Sequence, residues 1–271
     1  MLKVAVMGCA GRMGREIAGL VLENNNLVLS GGVERRGHPL VGKDMIAALL
    51  GSPGFGLNRP EAIISDDLKE IIGGIDVVID FTNPESSMEH YRIVADAGKA
   101  IVIGTTGFSA GQITTMESFR EKAACVRSPN MSIGVNVMFK LVAEAARMLS
   151  SYDMEITEIH HNLKKDAPSG TAMRLAEILA RETKRDLSKV GVYGRHGLVG
   201  ERKPDEIGVM SLRMSDVVGE HTVFFGGQGE RVEITHKATS RKNFAAGAVL
   251  AAGWLGGKKN GIYDMRDVLG L

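Results

Sequence analysis

The feature that most constrains this chain is Gly8-Cys9-Ala10-Gly11-Arg12-Met13-Gly14, because of what stands on either side of it. Leu2 to Met7 is a short, nearly continuous apolar run, the pattern of a strand covered on both faces. Met13, Ile17, Leu20 and Val21 then recur at helical spacing. A glycine-rich strand-to-helix turn lets backbone come close to a pyrophosphate, and the helix start offers unpaired N–H groups and a positive dipole. The spacing, GxxGxxG, is one residue longer than the common GxGxxG, so context carries the reading more than pattern does. Glu34 supplies part of that context. It lies 20 residues beyond Gly14, at the end of a strand expected over Leu27 to Val33, where an acid can hold the adenosine ribose hydroxyls. Arg35 and Arg36 follow, and their guanidinium groups can accept a 2′-phosphate. Glu34 favours NADH and the arginines favour NADPH, so use of both stays open. The plainer reading is a glycine turn beside a surface charge cluster.

The pattern continues to about residue 125. Asp66 is placed to cap a helix to Ile72, Ile75 to Phe81 reads as a strand, and Pro84 opens a helix to Ala97. Ala100 to Ile103 is a strand, Ser109 caps a helix to about Lys122, and Ala123 to Arg127 is a further strand candidate. Such alternation predicts a parallel sheet. Arg35 to Arg59 holds seven glycines or prolines and reads as a long, partly irregular excursion. Ligands of open parallel sheets lie beyond the carboxyl ends of the strands. There Gly104, Thr105 and Thr106 suit a nicotinamide ribose or carboxamide, and Ser128-Pro129-Asn130-Met131 stands where the texture changes, a natural hinge.

Beyond Pro129 a long helix is expected over Ile133 to Leu149. A strand follows from Met154 to His161, with Met154, Ile156, Glu158 and His160 on one face. Ser169 to Thr183 reads as a helix, Gly208 to Met214, His221 to Phe225 and Arg231 to His236 as strands, and Asn243 to Leu255 as a last helix. The residue pattern predicts an open, mostly antiparallel sheet with helices. Its first strand delivers His160 and His161, with Lys164 in the loop behind them and Pro168-Ser169-Gly170-Thr171 opening the next helix. Histidine moves protons near neutral pH, lysine brings positive charge, and helix amides bind carboxylates. Singly, each residue has a plainer reading as structural or solvated. Compressed beside one helix start, they describe a site for an acidic metabolite.

Composition narrows the setting. Lys and Arg total 33 against 32 Asp and Glu, a net charge of +1, so no global field draws the chain to nucleic acid or an anionic membrane. The apolar runs are too short to span a bilayer, and the opening residues lack the apolar core of a secretory signal. Cys9 and Cys125 make neither a disulfide framework nor a four-thiolate metal site. The expectation is a reduced, cytoplasmic protein with no metal, no membrane and no nucleic-acid partner.

His160-His161-x-x-Lys164-x-Asp166-Ala167-Pro168-Ser169-Gly170-Thr171-Ala172 resembles the bacterial dihydrodipicolinate reductase (4-hydroxy-tetrahydrodipicolinate reductase) family, as do Gly104-Thr105-Thr106-Gly107-Phe108, Val218-Gly219-Glu220-His221-Thr222 and Glu233-Ile234-Thr235-His236. The resemblance runs from about residue 2 to 269. It implies an α/β fold: a Rossmann-like dinucleotide-binding domain over 1–130 and 241–271, and an α+β substrate-binding and oligomerisation domain with an open mixed sheet over 131–240. It implies hydride transfer from NADH or NADPH to a cyclic imine dicarboxylate in the diaminopimelate route to lysine, by a homotetramer. His160 is implied as proton donor and acceptor and Lys164 as proton donor. His161, Ser169, Gly170 and Thr171 are implied at the substrate, with Arg241 a weaker candidate. Gly8, Cys9, Ala10, Gly11, Arg12, Met13, Glu34, Arg35, Gly104, Thr105, Thr106, Ser128, Pro129, Asn130 and Met131 are implied at the cofactor. The rival readings are a semialdehyde or homoserine dehydrogenase, against which the histidine segment argues, and a dinucleotide-binding sensor without turnover.

Overall fold

A computed structural model describes residues 1–51 and 61–271. It divides the chain into two units, Met1–Ser132 with Lys242–Gly270, and Ile133–Arg241 with Leu271. In the first unit, strands β1 (Leu2–Met7), β2 (Leu27–Val33), β3 (Ile64–Ser65), β4 (Val77–Asp80), β5 (Ala100–Ile103), β6 (Ala124–Arg127) and the late β12 (Gly261–Tyr263) form one sheet in the order β12-β6-β5-β4-β1-β2-β3. Every pairing described in it is parallel. The chain steps outward from β1 to β3 and then restarts at β4 on the other flank of β1. That reversal creates the crevice in which dinucleotide folds bind their ligand. Register places Val33, Met7, Asp80, Ile103 and Arg127 in line across the sheet, so the turns after β2, β1, β4, β5 and β6 leave from one edge.

Alternation along β1 explains the two apolar layers. Val4 and Val6 pack with Ile17, Ala18 and Val21 of α1 (Arg12–Glu23) and with the small residues of α9 (Lys242–Trp254). Ala5 and Met7 point the other way, into a core with Tyr91 and Val94 of α4 (Pro84–Asp96) and Met116 of α5 (Ala110–Glu117). Both thiols belong to these cores, and burial pushes the Cys9 and Cys125 pKa values up to about 12, where no reactive thiolate forms.

Several local expectations shift. The cap before α3 (Leu68–Ile71) is Asp67, which accepts from Lys69 N–H, and not Asp66. α5 keeps its Ser109 capping box but stops at Glu117. Within the expected excursion, Asp44 caps α2 (Met45–Leu50) by accepting from Ala47 N–H; residues 52–60 lie outside the described residues. The C-terminal α10 (Met265–Leu269) carries a second capping box, on Asp264.

The second unit holds β7 (Asp153–His160), β8 (Gly191–Val192), β9 (Ile207–Arg213), β10 (Gly219–Gly227) and β11 (Glu230–Ala238), in the order β11-β10-β7-β9-β8. β10 runs antiparallel to β11 and β7, but β9 is parallel to β7 and to β8, so the sheet is mixed and not mostly antiparallel. The cause is the connection. From β7 the chain crosses over through α7 (Gly170–Glu182) and α8 (Leu187–Val190), and a helical crossover returns a strand parallel. α6 (Ile133–Met148) and α7 bury Met138, Val142, Leu175 and Leu179 against Met154, Ile156, Val209, Val223 and Phe225 of the sheet. No helix among the described residues is long and apolar enough to cross a membrane.

Candidate active site

In the first unit the glycine turn is built from backbone. Gly8 sits at φ +59°, a left-handed conformation that suits glycine, and its N–H donates to Val33 O at 2.8 Å. Gly11 N–H donates back to Gly8 O at 2.9 Å, and Gly11 caps α1 with no side chain in the way. A Cβ on Gly14 would collide with the Gly8 carbonyl and the Cys9 backbone, so helix and turn touch here only because the residue is glycine. Gly14→Ala is expected to cost about 1–3 kcal/mol of stability and to weaken binding of any dinucleotide held by this turn at least ~10-fold. A fluorescence titration and a thermal melt check this; unchanged binding would show that the close packing does not shape the turn.

Glu34 leans into the same turn. Its Oε1 accepts from Ala10 N–H at 2.8 Å and its Oε2 from Arg35 N–H at 3.3 Å. Arg35 and Arg12 are exposed, and Arg36 stands 3.8 Å from Asp66 with its side chain almost fully in solvent. The Cys9 side chain lies in the core against Gly32 and Met45, which leaves only its backbone at the turn. Met131 is likewise a core side chain. Ser128 is buried and donates to Asn130 O, while Asn130 Oδ1 accepts from Ser132 N–H; Pro129 is exposed.

The ends of β4 and β5 are joined by a buried polar network. Asp80 Oδ1 accepts from Thr82 N–H and Thr82 Oγ1 at 2.9 and 2.7 Å, and its Oδ2 lies 2.7 Å from His90 Nδ1 on α4. Thr105 Oγ1 receives the Ser87 hydroxyl at 2.8 Å and reaches Asp80 Oδ1 at 3.4 Å. Thr105 is thus an anchor, and Thr106 beside it presents its side chain to solvent. Gly104 packs where a Cβ would strike the Phe81 ring.

In the second unit the histidine segment folds around a carboxylate. Glu158 is fully buried near the C-terminal end of β7, two residues before His160. Its Oε2 lies 2.5 Å from His160 Nδ1, and it accepts from both terminal nitrogens of Arg213 at 2.9 Å and from Ser169 N–H at 3.2 Å. Burial acts to raise its pKa, but the bonds from His160 and Arg213 outweigh that and hold it at about 2. His221 on β10 meets His160 edge to face, 5.2 Å between ring centres, and its Nε2 lies 3.0 Å from Ser169 Oγ. Burial first, and the nearby His160 second, pull the His221 pKa down to about 3, so it is a neutral imidazole.

Lys164 Nζ grips Asp166 at 2.8 and 3.0 Å, and that bond lowers the Asp166 pKa. Ser169 caps α7 by accepting from Ala172 N–H at 3.2 Å, with Gly170 exposed and Thr171 half-buried in the first turn. His161 carries a buried Nδ1 with no hydrogen-bond partner among the described residues. The arrangement brings an imidazole, a lysine-bearing loop and a helix N-terminus together, groups whose chemistry suits an anion and proton transfer.

The family models for the N-terminus and C-terminus of dihydrodipicolinate reductase match residues 2–131 and 134–269. This chain belongs to the dihydrodipicolinate reductase family. Among its relatives, the 4-hydroxy-tetrahydrodipicolinate reductases of Anaeromyxobacter dehalogenans strain 2CP-1 and Syntrophus aciditrophicus are 53% and 50% identical over all of this chain and 98% and 99% of theirs. The dipicolinate-bound dihydrodipicolinate reductase of Paenisporosarcina sp. TG-14 superposes with a TM-score of 0.75 at 26% identity, covering 97% of each chain. An amine dehydrogenase of Mycobacterium smegmatis, 13% identical with a TM-score of 0.60 over 96% of this chain and 94% of its own, shares the fold alone.

Glu158, Arg213 and His221 are the residues of this family member's histidine cluster that sequence reasoning did not single out. Glu158 carried a signal: a carboxylate on the same strand face as Met154 and Ile156 must be buried with them. Arg213 carried none, and His221 stood in a motif that resembles the family but gave no hint of its partner, because the partners of the two lie 55 and 52 residues away.

Proposed function

We propose that this chain reduces 4-hydroxy-tetrahydrodipicolinate to tetrahydrodipicolinate with NADH or NADPH, in the diaminopimelate route to lysine. The observation that carries the reading is the meeting of His160, the Lys164 loop and the Ser169-capped helix at one end of β7, in a chain matched by the family over nearly its whole length. The net reaction consumes substrate, NAD(P)H and a proton, and yields tetrahydrodipicolinate, NAD(P)⁺ and water. The bound nicotinamide supplies the hydride.

The residues of the first unit suit such a cofactor, since the turn excludes side chains at Gly8 and Gly14 and leaves α1 without a side-chain cap. Gly8 to Met13 would hold the pyrophosphate, Glu34 and Arg35 the adenosine ribose, Gly104 to Thr106 and Ser128 to Met131 the nicotinamide half. In the second unit His161, Ser169, Gly170 and Thr171 would bind substrate carboxylates, which are costly to desolvate without such partners. His160 and Lys164 would supply the proton and stabilise negative charge as it develops on the reduced ring. The family resemblance supports a homotetramer, and the composition, with two buried free cysteines, supports a reduced, cytoplasmic setting.

The test is steady-state reduction of enzymatically generated 4-hydroxy-tetrahydrodipicolinate set beside aspartate semialdehyde and homoserine. Turnover of the first alone is expected; preference for either of the others would move the chain to a rival class. Cofactor choice has its own test. Replacing Arg35 and Arg36 by neutral residues is expected to raise the KM for NADPH more than that for NADH. Equal losses would show that neither arginine reads the 2′-phosphate.

A further inference from the structure

The buried carboxylate beneath His160 has a use beyond holding the fold. A carboxylate accepts hydrogen bonds and donates none, so the proton between Glu158 Oε2 and His160 Nδ1 belongs to the imidazole. Nε2 is then the nitrogen left to exchange protons. It faces Gly219, where a Cβ would stand only 3.0 Å from it, so a side chain on β10 would crowd the working atom.

Arg213 adds the second half of the device. It is bidentate on Glu158, and its NH2 also donates to the Asp166 carbonyl at 2.7 Å. The Asp166 carboxylate in turn holds Lys164. One guanidinium therefore joins the carboxylate that orients His160 to the loop that carries Lys164. Its positive charge also offsets the negative charge of Glu158, and the carboxylate acts on the tautomer and direction of His160. The groups at the His160 ring are Glu158 on its own strand and His221 on β10, with Arg213 of the neighbouring β9 bonded to the same carboxylate.

We propose that Glu158 and Arg213 are a positioning pair that fixes His160 with its proton on Nδ1 and sets Nε2 and the Lys164 loop in register. The proposal rests on the reading of His160 as the proton-exchanging group. A direct test is the nitrogen-15 NMR spectrum of the full-length protein, with the His160 signal identified by its loss in His160→Ala. Wild type is expected to show the Nδ1–H tautomer, a readout independent of how any Glu158 variant folds. In Glu158→Gln the amide can donate to Nδ1, so the proton is expected to move to Nε2. The kcat should then fall by roughly 10²-fold while the substrate KM changes less than about threefold and NADH affinity holds.

An Nε2–H tautomer in wild type overturns the proposal, as does a Glu158→Gln variant with unchanged tautomer and kcat. A tautomer that moves with no loss of kcat overturns the positioning role. If His160→Ala then also turns over at the wild-type rate, the failure is traced to the functional reading and not to the geometry of the pair.

Discussion

His160→Ala and Lys164→Ala are each expected to lower turnover by about 10²-fold or more while NADH still binds. His160 stands at the end of β7 with its Nδ1 committed to Glu158, so removing the ring removes the one nitrogen available for proton exchange and leaves Glu158 with Arg213 and the Ser169 amide. Lys164 is held by Asp166 in the same loop behind β7, so its loss strips positive charge from that loop. The glycine turn, Glu34 and the Thr105 network belong to the other unit and keep the hydrogen bonds they make within it. The check is kcat measured alongside a cofactor-binding titration. Wild-type rates in both variants contradict the assigned roles, and loss of NADH binding shows that the substitutions act through the fold instead.

Acid is expected to destabilise this protein through His221. Its folded pKa of about 3 lies below the 6.5 of a free imidazole, because burial and the neighbouring His160 disfavour the charged form. The unfolded chain therefore takes up this proton first as the pH drops. Stability is fully present above pH about 6.5 and is lost progressively as the pH falls toward 3, by on the order of 3–4 kcal/mol. Glu158 acts in the same direction lower down. Its folded pKa of about 2 lies below the ordinary 4.5, so its contribution is lost as the pH falls from about 4.5 toward 2. Melting temperatures across this range are expected to slope downward with acid, and His221→Asn is expected to flatten the upper part of the slope. An identical slope in the variant would show that His221 does not titrate as its burial dictates.

Much of the fold was legible because its signals are local. Leu27 to Val33 matches β2 end to end, and Pro84 and Ser169 mark the starts of α4 and α7 through chemistry within one turn. What stayed hidden is either short or long-range. β12 spans only Gly261–Tyr263, too few residues to show a period, and finds its place by pairing with β6, more than a hundred residues earlier. The direction of β9 depends on how the chain returns from α7 and α8, which the composition of β9 does not encode. The candidate site divides the same way. His160, Lys164 and Ser169 share one segment, whereas Arg213 and His221 arrive from β9 and β10 by strand register alone. The Asp80–His90 pair shows the intermediate case: ten residues apart, but joined across a strand end and a helix face that no single period describes.

The reaction assigned to this chain delivers hydride directly from the nicotinamide to a cyclic imine dicarboxylate. NADH carrying deuterium at both C4 positions, incubated with the enzyme and enzymatically generated 4-hydroxy-tetrahydrodipicolinate, tests this through the mass of the product. Tetrahydrodipicolinate bearing a single deuterium is the predicted result; unlabelled product, or cofactor that binds and is never consumed, would contradict it.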